Sequence, residues 1–233
     1  MVKSGAWVVA VDGPAGSGKS SICAEVCREL DWVYVNTGLL YRAIGYVIMA
    51  RGIDANDQQA LALFLEEFIA EFSWDLQAKK IYWQGSDLSP ELSSVAVGNQ
   101  ASAIAKIGFL RERLLPLQRE LAFKAVNGIL LDGRDISTVV FPDAHLKIFM
   151  TASLAVRAER RLLQLQREKP REQHPSLAAL IANMEARDKQ DSQRGAAPLA
   201  KAADAVELDT SSLSFVQAVA ALKKLIESRV LKN

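Results

Sequence analysis

The chain has 233 residues, 50% of them hydrophobic, and its 28 basic and 27 acidic side chains give a formal net charge of +1. That balance excludes the electrostatic footprint of a nucleic-acid or membrane-surface binder, and the apolar content suffices to bury a large core. No apolar stretch approaches the roughly 20 residues of a membrane span, and Met1-Val2-Lys3-Ser4-Gly5 lacks the apolar core of a signal peptide, so the expectation is one cytoplasmic α/β domain carrying insertions.

Trp7-Val8-Val9-Ala10-Val11 is a continuous apolar run ending at Asp12, as in a strand buried on both faces of a parallel sheet. It leads into Gly13-Pro14-Ala15-Gly16-Ser17-Gly18-Lys19-Ser20, which meets every fixed position of the G-x-x-x-x-G-K-[ST] phosphate-binding loop. Glycines let such a loop turn its backbone N–H groups inward around a triphosphate. Lys19 is placed to reach the β and γ phosphates, and Ser20 offers Mg²⁺ a hydroxyl and opens a helix whose N-terminal dipole favours anions. Ser21 belongs to the same nucleotide-binding stretch, and Ile22, Val26 and Leu30 follow at helical spacing. Cys23 and Cys27 lie four residues apart on that helix with no second ligand pair to complete a metal site, and read as reduced, buried hydrophobes.

Strand and helix then alternate. Trp32–Val35 reads as a second strand, Thr37–Ala50 and Asp57–Phe72 as helices. Phe72–Leu76 and Lys80–Trp83 flank a polar turn and precede Gly85-Ser86-Asp87, the pattern of a small inserted antiparallel hairpin. Helical character from about Ser89 to Val126 is expected to break or bend near Gly98, Gly108 and Pro116. Gly128–Leu131 is a buried strand ending in Asp132-Gly133-Arg134-Asp135, and His145–Met150 is another. An arginine-rich helix at Ala155–Gln166, a polar loop at Arg167–Pro175, a helix at Leu177–Gln190, a strand at Ala205–Leu208 and a closing helix at Leu213–Ser228 complete the chain.

Alternation of this kind implies a doubly wound parallel sheet with helices on both faces, of the phosphate-loop NTPase type. Ligands bind such sheets at the carboxyl ends of the strands. That rule gathers the phosphate loop, Asn36-Thr37-Gly38 and Asp132–Asp135 at one edge. Eight of the fifteen arginines lie within the 61 residues from Arg134 to Arg194. Arg157, Arg160 and Arg161 share one helix, and Arg187, Asp191 and Arg194 recur at spacings of four and three that put them on one helical face. Phosphoryl transfer requires positioning and charge neutralisation, which arginines and a metal ion supply, although a solvated, salt-bridged helix surface accounts for the same pattern.

Gly13–Ser20, Asn36-Thr37-Gly38-Leu39-Leu40-Tyr41-Arg42, Gly133-Arg134-Asp135 with Thr138–Ala144, and Arg187–Arg194 with Ala197-Pro198-Leu199 and Ala203-Asp204-Ala205 together resemble bacterial cytidylate kinases over nearly the whole chain. The resemblance implies transfer of the γ-phosphoryl group of ATP to CMP or dCMP with Mg²⁺. It also implies a nucleoside-monophosphate-binding insertion, with its core at about residues 72–95, and a lid at about 162–187. It places Thr37, Arg42 and Arg134 on the acceptor phosphate, with Tyr41 and Gly133 in the same subsite. Ser102, Arg111 and Asp135 fall on the cytosine, Arg187 and Asp191 on the ribose, and Arg194 on a phosphate. Lys19, Arg134, Arg187 and Arg194 become the catalytic cations, Arg157, Arg160 and Arg161 lid-side partners of ATP, and Asp132 a Mg²⁺ contact through water. Taken without the resemblance, Asp135 reads equally as a helix cap, Ser102 as a surface serine, Asp191 as a salt-bridge partner and Asp132 as an acceptor fixing its loop. The expected assembly is a monomer whose partners are its small-molecule substrates. The chain departs from the family pattern at Leu92-Ser93-Ser94-Val95-Ala96-Val97, which stands where members commonly show Ile-Arg-x-x-Glu-Val, and at Asn36 and Thr37, which stand for aspartate and serine.

Overall fold

In a computed structural model of the chain the described residues are 6–168, 170–171 and 173–231, so Lys169 and Glu172, within the expected lid loop, lie outside them. Five parallel strands form the main sheet: β1 (Trp7–Asp12), β2 (Val33–Asn36), β6 (Gly128–Gly133), β7 (Leu146–Thr151) and β8 (Val206–Asp209), in the order β2-β6-β1-β7-β8. Alternate residues of β1 face opposite layers. Val8 and Ala10 enter one hydrophobic core, Val9 and Val11 the other, which is why the run has no polar alternation.

Helix α1 (Lys19–Leu30) and the closing helix α8 (Phe215–Ile226) cover one face, with Cys23 and Cys27 buried there as free thiols. Burial pushes the Cys27 thiol up to about 12, so it packs as an uncharged hydrophobe. The other face is covered by α2 (Gly38–Arg51), α4 (Val95–Ile104) and α5 (Gly108–Glu120). Helices α6 (Leu154–Glu168) and α7 (Leu177–Gln193) pack on each other around Ala158, Leu180 and Met184.

Helix α3 (Gln58–Glu71) leads into the insertion, a three-stranded antiparallel sheet of β3 (Phe72–Asp75), β4 (Lys80–Trp83) and a two-residue β5 (Ser86–Asp87). Trp83 stacks on Phe68 at 6.0 Å between ring centres and carries the Arg51 guanidinium 4.4 Å above its ring, so the insertion is anchored through aromatic packing.

Two expected helix breaks do not occur. Pro116 sits inside α5 on its exposed side, while Leu110, Leu114 and Gln118 hold the helix from its buried side, so packing overrides the lost hydrogen bond. Gly98 lies within α4 with the Arg42 guanidinium resting against it, so a Cβ there would have to displace the end of that side chain. A break near Gly108 is present, between α4 and α5.

Candidate active site

The phosphate loop is shaped by close approach to the neighbouring strand. A Cβ on Gly13, whose φ is +151°, would stand 1.9 Å from the Met150 carbonyl oxygen, so only glycine fits. Gly18, at φ +91°, sets the start of α1. Within the loop Ser17 Oγ donates to the Pro14 carbonyl at 3.1 Å, and Lys19 Nζ donates to the Gly13 and Pro14 carbonyls at 2.7 Å each. Burial lowers Lys19 to about 7, with Arg134 adding repulsion while Asp132 and Asp12 oppose it. Thr210, after β8, donates from its hydroxyl to Ser17 O at 3.1 Å and fixes the loop from the other side.

Parallel register brings three strand ends together, with Val11 opposite Asp132 and Asn36 opposite Asp132. Ser20 Oγ donates to Asp132 Oδ2 at 2.8 Å, and Asn36 Nδ2 donates to Ser20 Oγ at 3.2 Å. Asp132 Oδ1 is buried with no hydrogen-bond partner. One carboxylate oxygen left unpaired beside a hydroxyl fits a hard cation that takes most of its ligands from phosphate and water. Among the described residues no group of three or more His, Cys, Asp or Glu is placed to hold a metal without such help. Thr37 Oγ1 donates to the Asp132 carbonyl at 2.8 Å, and Tyr41, in the first turn of α2, is buried beneath the Arg111 guanidinium, whose centre lies 5.2 Å from its ring.

Asp12 ties the neighbouring loop down. Its carboxylate accepts from the Ile136 and Ser137 backbone N–H groups at 2.8 and 2.7 Å and from the Ser137 hydroxyl. These bonds hold a single wide turn, Ile136–Val140, directly after Asp135. Burial raises the Asp12 carboxyl above its ordinary value against the lowering effect of those donors.

The arginines converge on the space in front of these strand ends. Arg134 Nε donates to Asp191 Oδ2 at 2.8 Å, and Arg111 donates to Asp135 in a buried ion pair. Arg194 Nη2 lies 3.6 Å from the other Asp135 oxygen, and its Nε donates to Ala197 O at 2.5 Å. Arg187 Nε is buried without a partner, and burial, then repulsion from Arg134, lowers this guanidinium. Burial lowers Arg42 as well, with Arg187 and Arg161 adding repulsion. Arg42 Nη1 donates to the Leu92 and Ser94 carbonyls at 2.6 and 3.3 Å. The unusual Leu92–Val97 segment thus holds Arg42 through its backbone, which its side chains do not alter.

The profile of the cytidylate kinase family matches residues 9–228. The chain belongs to the cytidylate kinase family. A cytidylate kinase of Pseudomonas putida is 41% identical over 232 residues, covering 98% of this chain and 99% of that protein, and one of Lactobacillus gasseri is 36% identical over 221 residues, covering 95% and 94%. An uncharacterized protein of Eubacterium ventriosum of known structure shares the fold at a TM-score of 0.50 and 13% identity, covering 96% of this chain and 99% of that one.

Within this cytidylate kinase fold the residues singled out in the sequence fall into three groups. Lys19, Ser20, Thr37, Arg42, Asp132, Arg134, Arg187 and Asp191 form one continuous network at the strand ends. Arg111, Asp135, Tyr41 and Arg194 form a second cluster, while the contact of Ser102 is with Gln190 on α7. The helix α6 arginines divide. Arg157 braces the loop, donating from Nη1 to Ala15 O and from Nε to Ala152 O, both at 3.0 Å, and pairing with Asp188 at 2.7 Å. Arg160 turns to Thr210, whose hydroxyl and carbonyl accept at 3.0 and 2.7 Å. Only Arg161 lies close enough to Arg42 and Arg187 to repel both. Asp12, Asp188, Gln190 and Thr210 were missed in sequence; a polar residue closing a buried strand was the available signal for Asp12.

Proposed function

We propose that the chain transfers the γ-phosphoryl group of ATP to CMP or dCMP, giving ADP and CDP or dCDP. The observation that carries this is the crowding of cations: burial, and then repulsion from neighbouring guanidinium groups, lowers Lys19, Arg42 and Arg187, and Arg187 keeps a buried donor unpaired. Crowding of like charges in a desolvated place is unfavourable until an anion enters. Two phosphate-bearing substrates relieve it.

In this reading the loop N–H groups and Lys19 hold the β and γ phosphates of ATP, Lys19 giving up the Gly13 and Pro14 carbonyls to do so. Thr37, Arg42 and Arg134 hold the acceptor phosphate so that one of its oxygens faces the γ-phosphorus, with Gly133 leaving room beside Thr37. That oxygen forms the new P–O bond as the bond to the ADP oxygen breaks. Ser20 and, through water, Asp132 would hold Mg²⁺, which would neutralise charge on the donor phosphates. Arg187 and Arg194 supply further positive charge. Asp135 accepts from the cytosine amino group with Arg111 and Ser102 beside it, and Asp191 turns from Arg134 toward the ribose. Of the α6 arginines, Arg157 and Arg160 stand against the phosphate loop, at Ala15 and near Gly18, and Arg161 lies toward Arg42 and Arg187. Two free thiols on α1 are consistent with a cytoplasmic setting.

A coupled assay of ADP release across CMP, dCMP, UMP and AMP tests this. CMP and dCMP are expected to turn over with kcat/KM at least roughly tenfold above UMP, since uracil leaves Asp135 without a donor. Equal turnover of UMP would make the chain a general pyrimidine nucleotide kinase, and no turnover with any acceptor would overturn the reading.

A further inference from the structure

Helix α7 carries Arg187, Gln190 and Asp191 at spacings of three and one, and Arg194 follows as its C-cap. Three of these belong to the site as read above. Gln190 is the fourth, and it is half-buried where α7 meets α4. Its Nε2 donates to Ser102 Oγ at 2.9 Å and lies 3.3 Å from the Ser102 carbonyl. An amide nitrogen carries two hydrogens, so one group serves both acceptors.

Both acceptors depend on it. Ser102 is in the last turn of α4, and the Lys106 N–H that would ordinarily bond its carbonyl goes instead to Ala103 O, so Gln190 satisfies an orphan carbonyl of the helix end. A free hydroxyl rotates. With a donor fixed on one lone pair, the Ser102 hydroxyl keeps its proton and its second lone pair directed away from Gln190.

We propose that Gln190 is a positioning residue of the acceptor-base subsite, fixing the Ser102 hydroxyl that faces the pyrimidine. It does not touch the reacting phosphates. It links the helix that carries Arg187 and Asp191 to the helix that carries Ser102, so the base and ribose subsites are set at a defined separation. This inference rests on the reading of Ser102 as a base contact.

The test is a set of three variants, Gln190→Leu, Ser102→Ala and the double variant, with Gln190→Glu as a fourth of nearly unchanged shape that cannot donate from its carboxylate. Steady-state kinetics against CMP and against ATP are measured together with thermal unfolding. Gln190→Leu is expected to raise the KM for CMP roughly three- to tenfold, the cost of one lost hydrogen bond, with the KM for ATP unchanged and kcat changed less than twofold. Gln190→Glu is expected to do the same or more. In the Ser102→Ala background Gln190→Leu is expected to have less than about a twofold further effect, because the hydroxyl it positions is gone.

A helix-capping role through the Ser102 carbonyl would survive Ser102→Ala. An equal effect of Gln190→Leu in both backgrounds therefore overturns the proposal, as does an unchanged KM for CMP in both Gln190 variants. Should Gln190→Leu unfold, the Gln190→Glu comparison in the two backgrounds decides in the same way. Wild-type protein silent toward CMP would overturn the functional reading and this inference together.

Discussion

Arg134 Nε sits 2.8 Å from Asp191 Oδ2, joining the end of β6 to the inner face of α7. The same guanidinium repels Lys19 and Arg187, so one side chain is coupled to the donor loop, the acceptor helix and the space between them. On the proposed reading, a residue so placed acts on the phosphate and not on the base.

Arg134→Ala is accordingly expected to lower kcat/KM for CMP and for UMP by the same factor, on the order of 10² or more, as for loss of one preorganised charged donor. Leaving the Asp191 carboxylate unpaired also costs stability, about 1–3 kcal/mol. Parallel kinetics with both acceptors and a thermal melt check this. A variant that lost only its CMP activity would place Arg134 on the base.

Lys19 supplies a pH prediction. With a value of about 7 in the nucleotide-free protein, the side chain is largely neutral at pH 8, whereas the phosphates of bound ATP draw its proton back. Binding therefore takes up protons. ATP affinity is expected to level off well below pH 7 and to fall as pH rises above it, with net proton uptake on binding at pH 8. Calorimetric titrations in buffers of different ionisation enthalpy measure the uptake directly. Lys19→Ala is expected to abolish the uptake and to lower turnover by more than about a hundredfold, with the fold intact. Uptake that persisted in that variant would assign the proton elsewhere.

Beyond the base contact proposed for it, Asp135 holds two guanidinium groups. It is buried, pairs with Arg111 and lies 3.6 Å from Arg194, so truncation to alanine leaves two buried guanidinium groups facing each other. Breaking a buried pair this way costs about 3–5 kcal/mol, which would confuse specificity with unfolding. Asp135→Asn keeps the shape. It is expected to lower the CMP-over-UMP preference at least roughly tenfold while lowering the melting temperature less than alanine does. Equal losses for both acceptors would make Asp135 purely structural.

Much of this was legible in the chain because β1, β2 and β6 each end in polar or glycine residues, and register then sets Asn36 beside Asp132 and Asp12 beside Gly133. The phosphate loop was legible because its geometry demands glycine at fixed positions. Pairings across the fold were not. Helical periodicity put Arg187, Asp191 and Arg194 on one face, but that Asp191 would meet Arg134, Gln190 meet Ser102, and Asp12 reach Ser137 depends on how distant segments pack. Arg157, Arg160 and Arg161 look alike in sequence, yet the rotation of α6 sends the first to the Ala15 carbonyl and the second to Thr210. At Pro116 and Gly98, expected as a break or bend, the helices are not broken, because burial outweighs local propensity.

Gly98 gives a prediction in which stability and activity part company. A Cβ at this position would stand 2.9 Å from Arg42 Nη2 and 3.2 Å from Nη1. The obstructing atoms are the far end of a flexible side chain, so the helix itself need not move. Alanine also favours a helix interior over glycine by about 1 kcal/mol. Gly98→Ala is therefore expected to melt no lower than wild type. Arg42, however, must leave the position from which it bonds the Leu92 and Ser94 carbonyls. If that position is the one from which Arg42 holds the acceptor phosphate, the KM for CMP should rise roughly tenfold, the worth of one charge-assisted hydrogen bond, while the KM for ATP stays constant. Arg42→Ala provides the reference, since Gly98→Ala should reproduce part of its effect and add little in the double variant. A Gly98→Ala protein with unchanged CMP kinetics would show that Arg42 reaches the phosphate from elsewhere, and that its contacts with the Leu92–Val97 segment serve packing alone.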